Sequence, residues 1–495
     1  MSMTISKTRY CAGVQCLKRL YLLVHSPEVA AHPTAADQAI IEQGREVGML
    51  ARQLFPSGVE VRCEGGLDAA IRTTRDLLAN PEIPAIFEGV FEHQNVLAKV
   101  DILHRRRDGR WRLIEVKSTT DVRDHHLEDV AVQYRVVSRS GVDLATACLG
   151  HINRNYVYPG GEIDPRRFFR VRNLTRRVQR LQPKLTFQLR SEFTVLGMPK
   201  APDVAPGRHC TNPITCEFYD RCNPPRSDDY VGYLPRIHAS AEEELEEMGV
   251  ESIHDIPDDF ELTEIQRRAA TCVQTWEPWF SPELSSELDK LDYPLRFVDF
   301  ETINPCVPRF AGMRPYDQLP FQWSVHVQRQ PGAAPEHHEF LATDASDPRR
   351  EFISSLCHAL GESGSIVVYS SFESQRLSDL AVWLPEHAER INSIQARLFD
   401  LLPVVREHAY HPAFAGSYSI KSVLPALVPE MSYEGMEVAN GQDAGIAWES
   451  LVRGSLNCDE HKRIEKALRA YCGQDTLAMV RLLEQLRSSV PHRLA

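Results

Sequence analysis

Two short apolar runs carry three charged residues whose types and spacing suit metal-dependent chemistry. Asp101 is the single acid of the first run, 97–103, and Glu115 and Lys117 alternate with apolar residues in the second. Because alternate side chains of a strand share a face, we expect Glu115 and Lys117 to project together. A tight turn at Asp108-Gly109 would bring Asp101 beside Glu115.

Two neighbouring carboxylates repel each other unless a divalent cation such as Mg²⁺ or Mn²⁺ neutralises them. Such a cation polarises a phosphate oxygen and lowers the pKa of bound water, and the Lys117 ammonium would stabilise charge that develops at phosphorus. The pattern therefore predicts metal-dependent hydrolysis of a phosphate ester, with Asp101 and Glu115 as metal ligands. A hairpin that only carries solvent-exposed charges is the alternative.

A second set of acids is spread over the C-terminal part of the chain. Asp299 and Glu301 lie on one predicted strand and share the face opposite its buried side chains. Glu373 begins a predicted helix, and Tyr471 and Asp475 share a helix face because they are four residues apart. The four acids would hold two divalent cations, and Tyr471 would orient the attacking water. The alternative is that Asp299 and Glu301 only cap a sheet edge.

Four cysteines form a third candidate site, namely Cys16, Cys210, Cys216 and Cys222. Four thiolates suit either Zn²⁺ or an iron–sulfur cluster. Zinc ribbons usually contain tight Cys-x-x-Cys pairs, which this set lacks, so the spacing favours a [4Fe-4S] cluster and leaves zinc as the alternative. Cys11 competes with Cys16 for the N-terminal position, and buried free thiols are the alternative without any metal.

The candidate residues of the first half must be positioned by a mixed α and β fold. Helical periodicity, period-2 alternation and turn residues define its elements. The predicted elements are helices at 39–55, 127–138 and 165–191, a β-hairpin of 95–104 with 111–119, and a strand with its exit at 145–158.

The chain is predicted to contain three parts. Residues 1–227 form the first domain, which ends in a Pro-rich and Cys-rich stretch, and 228–290 form a helical connector. Residues 291–490 form a second α/β domain, which begins with the strand that carries Asp299. The further predicted strands are 321–328 and 365–369.

Length, composition and charge exclude several classes of protein. The chain has 495 residues, of which 43% are apolar, and this suggests about two to four domains. It has no stretch of about 18 apolar residues and no signal-peptide pattern, so we expect no membrane partner and a cytoplasmic location. The formal charge of −12 argues against a protein that coats nucleic acid generally.

The charge is nevertheless uneven along the chain. Residues 166–180 contain seven arginines and no acidic residue, which predicts a local track for phosphate groups. The predicted nucleic-acid-binding residues are Arg166, Arg167, Arg170, Arg172, Arg176, Arg177 and Arg180.

The order of parts in the first domain resembles the RecB-like branch of the PD-(D/E)xK nucleases over roughly residues 5–225. These parts are an upstream helix, Asp101, Glu115-x-Lys117, and a helix that carries Gln133. The resemblance adds Gln133 to the catalytic set. Members of that branch often place a metal-binding His on the first helix, where this chain has Gly48.

The departure at Gly48 leaves three alternatives for the first metal site. Either the metal has fewer protein ligands, or Glu46 or Glu88 substitutes for the histidine. The four-cysteine pattern, with Cys16 followed by Leu-Lys-Arg-Leu-Tyr-Leu, resembles that of the AddB-type helicase-nucleases and the CRISPR-associated exonuclease. That resemblance implies that the cluster joins the two ends of the nuclease domain.

The order Asp299-x-Glu301, then a Phe-acid pair at Glu373, then Tyr471-x-x-x-Asp475 resembles the DEDD exonucleases of the RNase H-like fold, in the subtype with Tyr. It covers about residues 295–486, and the superfamily usually has Asp in place of Glu373. With Pro320 to Ser324 downstream of the first acids, the whole chain resembles a bacterial family of uncharacterised predicted nucleases.

The resemblances imply an α/β multidomain fold. It comprises a restriction-endonuclease-like, PD-(D/E)xK core with a four-Cys cluster, then the helical connector, then an RNase H-like domain. Asp400 and Lys421 are further candidates for the C-terminal cleft, although packed or solvated roles are favoured for both.

The expected function is that of a metal-dependent nuclease acting on single-stranded or end-opened DNA, in repair or in defence against foreign DNA. The alternatives are an RNA-processing exonuclease that uses the C-terminal domain and a non-catalytic, redox-sensing protein that binds nucleic acid. No Walker-type phosphate-binding segment occurs in the sequence, so any helicase motor would be a partner in trans.

Overall fold

The computed structural model describes residues 3–454 and 456–489, and the chain divides into two compact units. The first unit comprises Met1–Pro225 and Asn304–Asp317, and the second comprises Arg226–Ile303 and Gln318–Ala495. Both units mix helices with a sheet. Among the described residues, no helix is long and apolar enough to cross a membrane.

The first unit contains a mixed sheet flanked by helices. Its strands are β1 (Ile5–Ser6), β2 (Val59–Glu60), β3 (Ala85–His93), β4 (Val96–Arg105), β5 (Trp111–Lys117), β6 (Leu144–Ile152) and β7 (Phe169–Asn173). Its α-helices are α1 (Lys7–Gln15), α2 (Leu17–His25), α3 (Ala35–Arg52), α4 (Leu67–Ala79), α5 (Asp124–Arg139), α6 (Pro165–Phe168), α7 (Thr175–Leu196) and α8 (Tyr219–Cys222).

The sheet of the first unit has the order β2-β3-β4-β5-β6-β7, and β1 pairs with β4. Strands β3, β4 and β5 form an antiparallel meander that includes the predicted hairpin. Helix α5 then crosses over so that β6 lies parallel to β5, and β7 pairs with β6 in the antiparallel sense. Because β5 and β6 are parallel, their C-terminal ends lie at the same edge of the sheet.

Both faces of this sheet are covered, so neither face of β5 is exposed along its length. Leu113, on the same face as Glu115, is buried in the core that α5 and α7 cover. Ile114, on the opposite face, is buried in a second core with Val47 of α3. The charged residues of β5 are therefore enclosed by helices rather than facing bulk solvent.

The predicted arginine-rich helix at 165–191 is wrong in its first part. The segment forms the short helix α6, then the strand β7, and only then the long helix α7. The reason is that Phe168 and Phe169 are buried, which fixes the chain at the edge of the sheet, where β7 pairs with β6. Arg170 and Arg172 therefore lie on one face of a strand and not on the face of a helix.

The second unit has a five-stranded sheet between two helical layers. Its strands are β8 (Trp279–Phe280), β9 (Leu295–Ile303), β10 (Leu319–Gln328), β11 (Glu336–Leu341), β12 (Ile366–Val368), β13 (Leu398–Asp400) and β14 (Ala409–Tyr410). Its α-helices are α9 (Ala239–Glu247), α10 (Glu264–Thr275), α11 (Leu284–Leu288), α12 (Arg349–Leu360), α13 (Phe372–Trp383), α14 (Ala388–Gln395), α15 (Leu401–His408), α16 (Ile420–Leu427), α17 (Gly441–Val452) and α18 (Cys458–Ser488).

The sheet order of the second unit is β11-β10-β9-β12-β13, and β8 pairs separately with β14. Strands β9, β10 and β11 are antiparallel neighbours, whereas β12 is parallel to β9 and β13 is parallel to β12. Strand β9 is therefore central, and α18 packs against it and against β10. Phe297 and Val298 are buried on its opposite faces, in two different cores.

The predicted boundaries of the connector differ from those in the structure. Residues 228–290 do not form a separate part, because Leu245 and Ile253 are fully buried in the same core as Phe297 of β9. In addition, residues 304–317 leave the second unit and belong to the first. We call residues 304–317 the arm.

Candidate functional site

The first cluster of charged residues lies where β4 and β5 run side by side. Ile102 is paired with Ile114, so the antiparallel register sets Asp101 opposite Glu115. The Asp101 carboxylate also accepts a hydrogen bond of 2.8 Å from the backbone N–H of Val116. The two predicted metal ligands are therefore neighbours on one face of the hairpin.

Glu115 is the buried centre of this cluster. Its Oε1 accepts from the Lys7 ammonium at 2.8 Å and from the Lys117 ammonium at 2.7 Å. Its Oε2 accepts a hydrogen bond of 2.7 Å from the Gln133 amide of α5. The structure thus brings together all four of the residues predicted for this site, Asp101, Glu115, Lys117 and Gln133.

Two members of the cluster were missed by the sequence analysis, Lys7 and Asp129. The Asp129 carboxylate lies 2.6 Å from the Lys117 ammonium and 3.5 Å from that of Lys7. It also accepts a hydrogen bond of 2.8 Å from Gln133, which lies one helical turn later on α5. That helical spacing is a local signal for Asp129, whereas nothing near Lys7 in the sequence indicates this contact.

The pKa values in the cluster follow from burial and charge together. Burial raises the pKa of Asp101 well above its ordinary value, and the charge of Glu115 adds to this effect. Burial opposes ionisation of Glu115 too, but the ammonium groups of Lys7 and Lys117 hold its pKa below the ordinary value. Three carboxylates and two ammonium groups thus lie close together around the buried Glu115.

The two acids suggested as substitutes for a histidine ligand lie in other contacts. Glu88 pairs with Arg52 at 2.7 Å and with Lys99 at 2.9 Å. Glu46 lies close enough to Cys306 of the arm to raise the pKa of that thiol, after the larger effect of burial. These contacts place neither acid among the residues of the first cluster.

The second cluster lies on the central strand and the long C-terminal helix of the second unit. Asp299 and Glu301 of β9 and Cys472 of α18 each offer a ligand atom, and these atoms all lie within 4.8 Å of one another. The Cys472 thiol is 3.7 Å from Asp299 Oδ2. Cys472 is not among the residues predicted from the sequence, because its neighbour in space is remote in sequence.

Asp475 and Tyr471 join this cluster from α18. Asp475 is buried, and its Oδ1 accepts a hydrogen bond of 2.6 Å from the hydroxyl of Tyr433, which the sequence analysis missed. The Lys421 ammonium lies 5.3 Å from the centre of the Tyr471 ring and 5.4 Å from that of Tyr433. Lys421, which was only a weaker candidate, therefore lines the same cleft.

Glu373 is buried at the start of α13. Burial, together with the charges of Asp400 and Asp475, raises its pKa to about 8. Its Oε2 atom is buried and has no hydrogen-bond partner among the described residues. A buried oxygen without a partner is costly unless a proton or a cation satisfies it.

The acids of the second cluster resist ionisation because of burial and mutual repulsion. Burial raises the pKa of Asp299 well above its ordinary value, and the charges of Asp475 and Glu301 raise it further. Glu301 is affected in the same way. Burial also raises the pKa of Asp475, although the Tyr433 hydroxyl opposes the shift. Such a group of acids can ionise together only when a cation compensates their charge.

The four predicted cysteines line a single cavity of the first unit. They are Cys16, Cys210, Cys216 and Cys222. Backbone N–H groups point at two of the sulfur atoms, from Gly207 to Cys210 at 3.5 Å and from Phe218 to Cys216 at 3.4 Å. Cys11 lies instead among Asp129, Lys117 and Lys7 of the first cluster. The sequence alternative of Cys11 as the fourth thiol is therefore wrong.

A clasp of side chains holds the N-terminal helices against the cysteine loop. Gln15 donates to the carbonyl oxygens of His209 at 2.7 Å and Ile214 at 2.8 Å. Arg19 donates to Glu217 at 2.7 Å. In the described residues, no three of the four sulfur atoms lie within 4.8 Å of one another.

All seven predicted phosphate-binding arginines are exposed. They do not form a single helical face, because α6, β7 and α7 each carry some of them. Arg170 donates to Asn153 at 2.8 Å, and Arg177 lies 3.6 Å from Asp124. The segment therefore provides an exposed basic surface along one edge of the sheet.

Comparison with known proteins gives partial matches. A family model described as a domain of unknown function (DUF2779) matches residues 296–419, which include Asp299, Glu301 and Glu373 but not Asp475. The chain is 24% identical over 214 residues to Uncharacterized protein MG366 of Mycoplasma genitalium, a match that covers 39% of this chain and 32% of that protein.

A second relative gives the same result. The chain is 24% identical over 207 residues to Uncharacterized protein UU173 of Ureaplasma parvum, which covers 37% of this chain and 30% of that protein. The chain thus spans about a third of the length of these curated relatives. Their names state no activity, so an argument about function must rest on the geometry of the two clusters.

Proposed function

We propose that this protein is a metal-dependent nuclease that hydrolyses phosphodiester bonds of single-stranded or end-opened DNA. The observation that carries the proposal is a group of four acids from three segments of the second unit, of which Asp299 and Glu301 offer ligand atoms within 4.8 Å of each other and the other two raise the pKa of Asp299. These acids are Asp299, Glu301, Glu373 and Asp475. Burying so many acids together is unfavourable unless they hold cations, and paired divalent cations are a common means of phosphodiester hydrolysis.

The sheet topologies support the proposed fold families. An antiparallel β9-β10-β11 meander with β12 and β13 added in parallel is typical of RNase H-like domains, and a central strand with acids is typical of DEDD exonucleases. In the first unit, the antiparallel meander, the crossover helix α5 and the parallel strand β6 are typical of restriction-endonuclease-like cores.

At the second cluster, the acids and the two tyrosines would have different roles. Divalent cations bound there would polarise the phosphate and activate a water molecule. Asp299, Glu301, Glu373 and Asp475 would hold them through carboxylate oxygens. The Tyr471 hydroxyl would orient the attacking water, and the Tyr433 hydroxyl would hold Asp475 in place.

At the first cluster, Asp101 and Glu115 would be the metal ligands, and Lys117 would stabilise charge at the phosphate. Gln133 fixes the orientation of Glu115 through its hydrogen bond. The exposed arginines of 166–180 would bind the strand through its phosphates, without reading its sequence.

The cysteine cavity supports a [4Fe-4S] cluster more than zinc. Four sulfur ligands around one Zn²⁺ ion at about 2.3 Å would lie about 3.8 Å apart, since the site is tetrahedral. Among the described residues, no three of the four sulfur atoms lie within 4.8 Å of one another, and a cluster of several iron atoms holds its ligands further apart than one zinc ion does. The clasp made by Gln15 and Arg19 supports a structural role, which is to join the two ends of the unit.

The decisive experiment compares nuclease activities of single-residue variants on end-labelled single-stranded DNA and RNA with Mn²⁺. We expect D299N and D475N to remove a 3′ to 5′ exonuclease activity by at least about a hundredfold, because each loses a charged metal ligand. We expect D101N and K117M to remove a separable activity. Exposed Asp289 and Asp68 provide the matched controls D289N and D68N.

The outcomes separate the competing functions. The wild-type protein could instead cut RNA and leave DNA intact, and the same variants could lose this cleavage of RNA. That result would favour an RNA-processing exonuclease. A wild-type protein that binds both polymers but cuts neither would favour a non-catalytic nucleic-acid-binding protein and would contradict the proposal.

A further inference from the structure

A cleft in the first unit begins directly after the strand that carries Lys117. Strand β5 ends at that residue, and the next three residues, 118–120, line one side of the cleft. The cleft has a volume of about 550 Å³. Since a strand advances about 3.3 Å per residue, the cleft opens next to the first cluster.

Three arginines line the cleft, and each comes from a different segment. Arg123 precedes α5, Arg154 follows the end of β6, and Arg314 belongs to the arm. The first two segments lie at the edge of the sheet where the parallel strands β5 and β6 end. The arm adds the third arginine from a segment much later in the chain.

The arm is fixed against the first unit by backbone and side-chain contacts. The backbone N–H of Tyr158 donates to the carbonyl oxygen of Met313 at 2.9 Å, and that of Gly312 donates to Tyr158 at 2.8 Å. The Tyr316 hydroxyl donates to the carbonyl oxygen of Ser118, directly at the cleft. Cys306 of the arm is fully buried in the core of the unit. The position of Arg314 is therefore built into the fold.

The cleft has a net positive charge, because three arginines and one aspartate line it. In the part of the chain that the structure describes, no carboxylate lies within 4.0 Å of the side-chain nitrogens of Arg123, Arg154 or Arg314. Asp317 also lines the cleft, but its Oδ2 accepts the backbone N–H of Arg314 at 2.6 Å. Three guanidinium groups in one cleft repel each other, and an oxyanion such as phosphate relieves this repulsion and matches their geometry.

We infer that this cleft binds the sugar–phosphate backbone of a single-stranded polynucleotide beside the phosphate to be cut. The inference rests on the proposed nuclease function and extends it, because it assigns the strand path next to Lys117 to Arg123, Arg154 and Arg314. The hydroxyl groups of Ser118 and Thr120 add donors for the same phosphates, whereas that of Thr119 donates to the carbonyl oxygen of Asp121. The ligand is recognised by its repeated phosphates and not by its bases.

The test is a binding measurement on the full chain, made without cleavage. Fluorescence anisotropy follows labelled oligothymidylate, and in a second arm labelled oligouridylate, in EDTA with D101N as the background. We expect R154Q/R314Q to weaken binding about tenfold and to reduce the slope of log affinity against log salt by about 1.4, since each lost contact on a single strand removes about 0.7. The control R72Q/R75Q removes the same charge from exposed sites on α4.

Each result decides the inference separately from the nuclease proposal. If R154Q/R314Q binds both polymers with the affinity and salt slope of the control, the cleft does not hold the strand, whatever the cleavage assays show. Displacement of the probe by thymidine monophosphate at equal affinity would indicate a site for a small molecule and would also overturn it. Weaker binding by R154Q/R314Q, in a protein that cuts nothing, would support the cleft and contradict only the nuclease. If R314Q does not fold, R154Q is tested alone, and we expect half of the change in the slope of log affinity against log salt.

Discussion

The ammonium group of Lys7, at the start of α1, lies 2.8 Å from Oε1 of Glu115, the buried carboxylate at the centre of the first cluster. The same ammonium lies 3.5 Å from Asp129. Lys7 therefore supplies positive charge where a divalent cation would also be held. A cation that binds Glu115 must share these carboxylates with Lys7 or displace it.

Replacing Lys7 by Met should make the first cluster more dependent on metal. Without the ammonium, Glu115 and Asp129 retain only Lys117 as a cationic partner in the cluster, so K7M should lose about 3 kcal/mol of unfolding free energy in EDTA. Added Mn²⁺ should then raise the Tm of K7M more than that of the parent protein, because binding stabilises the folded state by mass action. The measurement is thermal unfolding with and without Mn²⁺.

This comparison requires a background in which the second cluster does not contribute, so D299N/D475N serves as the parent. K200M, at an exposed lysine, is the matched control and should leave the effect of Mn²⁺ unchanged. An equal rise of the Tm in the parent and in K7M would show that Lys7 does not compete with the metal.

At the second cluster, the Tyr433 hydroxyl should support metal binding through Asp475. The variant Y433F removes the hydrogen bond to a buried carboxylate, which should cost about 1–3 kcal/mol of stability. The pKa of Asp475 should rise further, because this donor opposes the effect of burial. We expect calorimetric titration at neutral pH to show weaker Mn²⁺ binding, and Y219F, at an exposed tyrosine, to match the wild type. Unchanged Mn²⁺ affinity in Y433F would separate Tyr433 from the metal site.

The cysteine cavity leads to a prediction with a spectroscopic signature. Anaerobically purified wild-type protein should contain iron and absorb visible light, and C210S should lose both and unfold at a lower temperature, since the proposed cluster would join the two ends of the unit through the four cysteines of the cavity. C63S, at an exposed cysteine away from the cavity, is the control. Stoichiometric zinc without iron in the wild-type protein would instead favour the zinc alternative.

The sequence predicted much of both clusters because strand alternation and helix spacing are local. Glu115 and Lys117 share a face of β5, and Tyr471 and Asp475 share a turn of α18, as their spacing requires. Lys7 and Cys472 could not be found in this way. Their partners are brought to them by the pairing of β1 with β4 and by the packing of α18 on β9, which no local pattern encodes.

The limits of the predicted fold have a similar cause. Periodicity indicated helix throughout 165–191, but the burial of Phe168 and Phe169 against the sheet imposes a strand between two helices. The arm was also missed, because residues 304–317 join the first unit only through tertiary contacts. Sequence patterns thus predict elements better than they predict which unit an element joins.

Glu192 of α7 should make stability depend on pH. Its side chain is fully buried, its Oε2 has no hydrogen-bond partner among the described residues, and burial raises its pKa to about 8. The folded protein therefore retains a proton that the unfolded chain releases above about pH 4.3. The contribution of this proton is complete below that pH and is lost as the pH rises towards 8, so stability should fall across this window.

The variant E192Q tests this because glutamine does not titrate. The difference in unfolding free energy between E192Q and wild type should change by about 3–5 kcal/mol in favour of E192Q from pH 4 to pH 8.5. Any cost of the amide itself is the same at both pH values and does not affect this change. Denaturant unfolding at several pH values measures this difference, and the control E82Q removes the charge of an exposed glutamate. Parallel pH profiles for E192Q and wild type would show that Glu192 is ionised in the folded protein at neutral pH, and that its contact with Gln188 at 2.9 Å is enough to hold the charge.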